Sequence, residues 1–142
     1  MITAGDTNVL LAIFLNDPTF ASASARAMRQ CLDEGSLIVC DVVWAETMSV
    51  FPEDRLFNHA MDTLHITFSP LTAAAAARAG RLWRSVREKN IPRHKRVIAD
   101  FLVAAHAQEC ADRLLTRDRG FYRSYFKGLK LFDPANESGS PS

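Results

Sequence analysis

The sequence predicts an α/β fold in which a central, mainly parallel sheet is covered by helices on both faces. Short apolar runs rich in β-forming residues alternate with longer segments of helical period, and this alternation is typical of parallel strands joined by helices. The chain has 142 residues, of which 48% are apolar and 23% are charged. This size and composition fit one globular domain with a single core.

Three short runs in the first half of the chain have the character of strands. Residues 1–4 form the first, and the run SLIVC at 36–40, which lies between Gly35 and Asp41, is a compact candidate for a buried strand. HITF at 65–68 is the third. We expect these runs to pair in one sheet.

Helical segments connect these strands. Pro18 and Pro52 are predicted to end the first and third helices, Gly35 follows the second, and Asp41 is predicted to cap the third. The predicted helices of this half cover residues 9–16, 20–34, 42–51 and 53–64.

The second half continues the alternation. Ser69 and Pro70 are predicted to open a long Ala-rich helix as its N-cap and first-turn proline. The predicted elements are helices at 71–89 and 97–109, strands at 113–116 and 129–132, and a helical or irregular segment at 119–126. The Ser- and Pro-containing residues 135–142 are expected to form a flexible tail.

Other features exclude several classes of protein. The first ten residues include Asp6 and no basic residue, and the longest apolar run is Val9 to Leu15, far below the roughly 20 residues of a membrane span. We therefore expect a cytoplasmic protein with no membrane partner. The three cysteines, Cys31, Cys40 and Cys110, have no disulfide or zinc-site spacing and are expected to be small buried thiols.

Positive charge is concentrated between residues 78 and 96. This stretch holds eight Arg or Lys and one acid, Glu88, whereas the remaining chain is acidic. Such asymmetry is expected where one surface meets a polyanion, although a solvated helix face would have the same composition. Arg93, Lys95 and Arg96 lead directly into the next predicted helix and are our candidates for contacts with a phosphate backbone.

Four carboxylates are predicted to meet at one edge of the sheet. Asp6 follows the first strand, Asp118 follows RLLT, Glu46 lies in the helix after SLIVC, and Asp100 begins the helix before RLLT. Ligands of open α/β sheets bind at the carboxyl ends of the strands. Acids that converge there without lysine partners repel one another unless a cation neutralises them, and a hard, oxygen-liganded ion such as Mg²⁺ or Mn²⁺ suits them. Each acid also has a simpler interpretation, since Asp6 could cap a helix, Asp118 could occupy a surface turn and Glu46 could be an exposed helix acid.

Four segments in this order resemble the PIN-domain ribonucleases, and among them the VapC-type toxins of toxin–antitoxin pairs. The segments are DTNVLL (6–11), WAETMSVF (44–51), VIADFLVAAHA (97–107) and LLTRDRGFYRSYFKGLKLFDP (114–134). The resemblance implies a PIN domain over residues 1–134, with a three-layer α/β/α sandwich and a central, mainly parallel sheet.

The resemblance also implies a Mg²⁺-dependent site, with Mn²⁺ as a possible substitute. Its acids would be Asp6, Glu46, Asp100 and Asp118, with Asp6, Asp100 and Asp118 on the metal. Polar supporting groups would be Thr7, Asn8 and Thr116. Where some family members carry a further acid, this chain has Gly120, which leaves open whether one or two metal ions bind.

An RNA substrate, a small VapB-like antitoxin and a homodimer within a complex with that antitoxin are implied by the same resemblance. Leu11, Phe14, Leu15 and residues 20–28 are candidates for an antitoxin groove, although ordinary core packing would explain them equally. Two alternatives remain open. One is a stand-alone PIN nuclease of RNA processing, and the other is an RNA-binding module without catalysis.

Overall fold

In the computed structural model, which describes residues 1–88 and 98–136, five parallel strands form one sheet. Their bounds are β1 Ile2–Gly5, β2 Ser36–Val39, β3 Ile66–Phe68, β4 Arg113–Leu115 and β5 Leu131–Phe132. The strand order is β3-β2-β1-β4-β5, and every neighbouring pair is parallel. The chain therefore builds the sheet outward from β1 in one direction and then returns to β1's other side.

Helices connect the strands. Their bounds are α1 Thr7–Phe14, α2 Ala21–Glu34, α3 Asp41–Met48, α4 Asp54–Thr63, α5 Ala73–Glu88, α6 Ile98–Cys110 and α7 Arg119–Tyr125, followed by a 3-10 turn at Pro134–Asn136. No helix within the described ranges is both long enough and apolar enough to cross a membrane.

Both faces of the sheet are buried. Leu114 and Leu115 are neighbours on β4 and therefore point to opposite faces, and each is fully buried in a different apolar cluster. Leu115 packs with Val9 of α1 and Ala27 of α2, whereas Leu114 belongs to the larger cluster on the other face. The predicted α/β/α sandwich is confirmed.

Two predicted helix caps are wrong. The N-cap of α3 is Cys40, and the Asp41 carboxylate instead accepts a hydrogen bond from the backbone N–H of Leu71 at 2.6 Å. At the start of α5, Thr72 accepts from the Ala75 N–H at 3.0 Å, while the Ser69 hydroxyl lies 3.0 Å from Nε2 of buried His106. The Asp41 carboxylate thus bonds to a long-range partner, whereas at α5 the nearer Thr72 takes the place predicted for Ser69.

Other boundaries differ by a few residues. Helix α1 begins at Thr7 and not at residue 9, α3 ends at Met48 and not at residue 51, and α5 begins at Ala73 and not at residue 71. Cys31 and Cys40 are buried thiols, as predicted, and Cys110 is partly buried. The predicted backbone-binding residues Arg93, Lys95 and Arg96, and residues 137–142 of the predicted tail, lie outside the described residues.

Candidate active site

The candidate site lies at the carboxyl ends of β1 and β4, where the order in which the chain adds strands to the sheet reverses. These adjacent strands are connected to elements on opposite sides of the sheet, and such a switch point leaves a crevice in which ligands bind. Asp6 follows β1 directly, and its backbone N–H donates to the Leu115 carbonyl at 2.9 Å. The first and last predicted acids, Asp6 and Asp118, therefore leave neighbouring strands at the same edge.

Asp6 is the most constrained carboxylate of the site. Its Oδ2 accepts from the Thr116 hydroxyl at 2.8 Å, from the Tyr122 phenol at 2.9 Å and from the Asn8 amide at 3.3 Å. Its Oδ1 accepts from the Thr7 backbone N–H at 2.8 Å, so that Asp6 is also the N-cap of α1. Asp6 is only 8% exposed, and it caps α1 through one oxygen while its other oxygen lies in the hydrogen-bonded network.

Burial makes the negative charge on Asp6 costly. It raises the pKa of Asp6 above its ordinary value, and the nearby charge of Asp100 raises this pKa further. Hydrogen bonds from Thr116, Tyr122 and Thr7 oppose these effects by stabilising the ionised form. A carboxylate of this kind favours an environment that supplies additional positive charge.

The Tyr122 phenol lies within the electrostatic influence of Asp100 and Asp118 as well as Asp6. Its pKa is raised chiefly by burial, then by the charge of Asp6 and the hydrogen bond to it, and also by the charges of Asp100 and Asp118. Three predicted acids thus act on one buried phenol. We did not predict Tyr122 from the sequence, although its position four residues after Asp118, one helical turn, is a signal that could have identified it.

Glu46 joins the site through Thr7. The Thr7 hydroxyl donates to Oε1 of Glu46 at 2.6 Å, and this links the start of α1 to α3. Glu46 is exposed and its Oε2 accepts no hydrogen bond from the residues that the structure describes. The fourth acid therefore lies beside the buried network and faces solvent.

Thr116 and Asn8 connect the turn after β4 to α1. The Thr116 hydroxyl accepts from the Asp118 N–H at 3.0 Å while it donates to Asp6, and the Asn8 amide oxygen accepts from the Arg117 N–H at 3.2 Å. All three predicted supporting residues thus lie in one hydrogen-bonded group with Asp6. Arg117, which was not predicted, also stacks its guanidinium on Phe20 at 3.9 Å.

The donor set has the chemistry of a hard-cation site but is not preassembled. The described His, Cys, Asp and Glu residues form no group of three or more whose spacing would hold a metal ion. The four acids and their threonine and asparagine neighbours offer oxygen atoms as metal ligands, and such ligands suit Mg²⁺ or Mn²⁺ rather than a softer metal. Binding one ion between the acids would require their side chains to turn toward it.

Comparison with known proteins identifies the family. The family model of the PIN domain matches residues 5–127. The chain belongs to the PIN domain family. The matched range contains every acid and supporting residue of the site described above, and no curated protein matches this PIN domain.

Solved structures share the fold of this PIN domain at low sequence identity. VapBC2 from Rickettsia felis, bound to a DNA fragment from its promoter, matches with a TM-score of 0.70 and 19% identity over 94% of this chain and 98% of that one. VapBC-1 from nontypeable Haemophilus influenzae matches with a TM-score of 0.72 and 15% identity over 95% and 99%. FitAcB from Neisseria gonorrhoeae matches with a TM-score of 0.64 and 18% identity over 95% and 99%. The chain therefore has the same fold as chains of these proteins over nearly its whole length.

Proposed function

We propose that this PIN domain is a divalent-metal-dependent endoribonuclease and the toxic component of a VapBC-type toxin–antitoxin pair, acting in the cytoplasm. The observation that carries this proposal is the buried Asp6 at the switch point of the sheet, held by four donors and within the electrostatic reach of Asp100. A carboxylate kept in this environment is suited to bind a cation at the reacting phosphate.

Asp6, Asp100 and Asp118 would hold the ion, for which Mg²⁺ is the first candidate and Mn²⁺ the second. When bound, such an ion would polarise a phosphoryl oxygen and lower the pKa of a water molecule, so that the water attacks phosphorus in line. Thr116 and Tyr122 keep Asp6 in place through their hydrogen bonds. The Asp6 carboxylate is therefore already held in position when substrate binds, and it need not reorganise during the reaction.

Glu46 would receive the proton of the attacking water. Its exposed carboxylate is held by Thr7 through Oε1, and Oε2 has no donor among the described residues. A general base needs such an accessible oxygen within hydrogen-bond reach of the water. The new P–O bond would then form as the bond to the leaving ribose oxygen breaks, with no covalent enzyme intermediate.

The nuclease activity can be tested with purified protein and total RNA. With Mg²⁺ we expect new 5′ ends that are absent in EDTA, that decrease about 10²–10⁴-fold in Glu46→Gln, and that are strongly reduced in Asp6→Asn because the ion loses a ligand. Asp62→Asn, an exposed acid on α4, is the matched control and should cleave as the wild type does. The same ends from wild type and Asp6→Asn would refute the assignment, and RNA binding without any metal-dependent cleavage would instead support the binding-module alternative.

An antitoxin partner is supported by the shared fold with chains of toxin–antitoxin complexes and by an apolar surface on α1 and the following loop. Leu15 and Phe20 are 59% and 42% exposed, and Leu11, Leu15 and Pro18 border a cavity of ≈ 400 Å³. Expression of the chain alone should arrest growth, and co-expression of a small protein encoded beside it should restore growth. A stand-alone nuclease would have no such neighbour.

The proposed toxin is also expected to form a homodimer. This expectation is tested by the mass of the purified protein in solution.

The cleaved RNA is proposed to approach over Arg93, Lys95 and Arg96. These residues lie outside the described part of the chain, so their support is their position before α6 and their charge. Charge reversal at all three positions should weaken RNA binding and reduce its salt dependence, because phosphate contacts release counterions. Unchanged affinity and salt dependence would exclude them.

A further inference from the structure

A second polar surface lies apart from the acidic site, between α5 and the end of α7. It is an open cleft of ≈ 590 Å³ bordered by Arg78 and Arg81 of α5, Gln108 of α6, and Tyr125 and Lys127 at the end of α7. We call these five residues the basic cleft. A smaller cleft of ≈ 270 Å³ shares three of them and adds Lys130.

The cations of the basic cleft differ in their availability. Arg78 donates to Glu109 at 2.8 Å and to Gln108 at 3.2 Å, so it is already committed to α6. Arg81 and Lys127 are exposed and have no ion pair among the residues that the structure describes. These two side chains therefore offer positive charge that no carboxylate of the described residues neutralises in an ion pair.

The helix pair α5 and α6 orients the basic cleft relative to the acidic site. Arg78 contacts residues near the end of α6, whereas the Trp83 ring packs on Phe101 near its start at 5.3 Å. The two helices are consequently antiparallel, and the later residues of α5 approach the end of α6 that carries Asp100. Exposed Arg84 and Arg87 extend in that direction.

The resulting spacing suits an extended polyanion. Arg87 lies six positions after Arg81, which is about 9 Å along a helix. The seven residues of α7 likewise place Lys127 roughly 10 Å or more from Asp118, the N-cap of that helix. The arginines of α5 therefore advance along the helix axis from the basic cleft toward the end of α6 that carries Asp100.

We propose that the basic cleft binds the phosphate backbone of single-stranded RNA several nucleotides away from the cleaved bond. This inference rests on the proposed function for the identity of the polyanion and extends the binding surface beyond the acidic site. RNA is favoured over an acidic peptide because the Tyr125 ring borders the cleft and is supported from behind by Phe101 and Phe121, at 5.7 and 5.3 Å. Aromatic rings beside cations are suited to hold bases as well as phosphates.

The test measures binding without cleavage. Anisotropy of a labelled single-stranded RNA is followed in EDTA at several KCl concentrations with wild type, Arg81→Glu/Lys127→Glu and the charge-matched control Arg29→Glu/Arg55→Glu. The control residues are exposed on α2 and α4, outside the cleft. We expect the cleft variant to bind at least about tenfold more weakly than the control and to lose about 1.4 from the slope of log K against log salt, since each single-strand phosphate contact contributes about 0.7.

Several outcomes would overturn the proposal. Equal affinity and slope in the two double variants would show that the basic cleft does not contact RNA, and equal wild-type affinity for a poly-glutamate peptide would assign the cleft to acidic peptides instead. If circular dichroism shows that the cleft variant is unfolded, Arg81→Gln/Lys127→Gln replaces it, with the same comparison. Failure of the nuclease proposal is separate, because it would appear as absent cleavage with Mg²⁺ while this binding difference persists.

Discussion

Replacement of Tyr122 by Phe tests whether the hydrogen-bonded network around Asp6 is maintained as the structure indicates. The substitution keeps the buried ring and removes only the hydroxyl group, which donates to Asp6 Oδ2 at 2.9 Å. Tyr125→Phe is the matched control. It lies on the same helix, is partly buried, and its phenol makes no hydrogen bond to the described residues.

The expected loss follows from the partners that remain. Asp6 keeps Thr116, Asn8 and the Thr7 N–H as donors, so no charge is left without partners. A hydrogen bond to an ionised group contributes about 1.5–3 kcal/mol to the free energy of unfolding, whereas a neutral one contributes about 0.5–1.5 kcal/mol. With a urea dependence of about 2 kcal/mol per molar, loss of the hydrogen bond to ionised Asp6 lowers the urea midpoint by about 1 M.

The loss should also depend on pH. Burial raises the pKa of Asp6 in the folded protein, so Asp6 binds its proton more tightly there than in the unfolded chain. Stability therefore falls as pH rises through the interval between the pKa of Asp6 in the unfolded chain and its higher pKa in the folded protein. The phenol stabilises the ionised form and lowers this pKa. Tyr122→Phe should therefore raise the pKa of Asp6 and cost more stability above that interval than below it.

Urea unfolding in EDTA, at pH values below and above the titration of Asp6, checks both statements. We expect a midpoint decrease for Tyr122→Phe that is larger above the titration, and little change for Tyr125→Phe at either pH. The reasoning is refuted if Tyr122→Phe has the wild-type midpoint above the titration, or if its loss is the same on both sides of it.

Three further predictions concern the same site. Thr116→Val removes a donor to Asp6 and leaves the Asp118 N–H without the Thr116 hydroxyl as its acceptor, so the free energy of unfolding measured in urea should fall by about 2 kcal/mol or more. Thr67→Val, at an exposed position on β3, is the control, and an equal effect of both substitutions would contradict the prediction. Asp100→Asn removes a charge that raises the pKa of Asp6, so the carboxyl ¹³C titration of Asp6 in EDTA should move to lower pH, and an unmoved titration would argue against proximity of these acids. Mg²⁺ at about 100 times its Kd should stabilise the wild type by about 2.7 kcal/mol in thermal unfolding and stabilise Asp118→Asn less; equal stabilisation would remove Asp118 from the metal site.

The sequence alone determined the fold class and the position of Asp6 at the sheet edge because these depend on local patterns. Alternating apolar runs indicate where strands and helices occur, and the position of an acid directly after a strand indicates which edge of the sheet it occupies. The predicted order of elements is confirmed, as is Asp6 at the end of β1. Boundaries shifted by a few residues because caps such as Thr72 compete with equally suitable neighbours.

The tertiary structure decided how the site residues meet, because their contacts connect elements that are far apart in the chain. Tyr122 donates to Asp6 across 116 residues, and Thr7 donates to Glu46 across 39. The spacing of Tyr122 from Asp118 is local, but both contacts depend on which strands are adjacent and how α3 and α7 pack beside them. Asp41 illustrates the same point from the other direction. Its sequence position favours a helix cap, but the fold brings the Leu71 N–H within 2.6 Å, and the carboxylate bonds there instead.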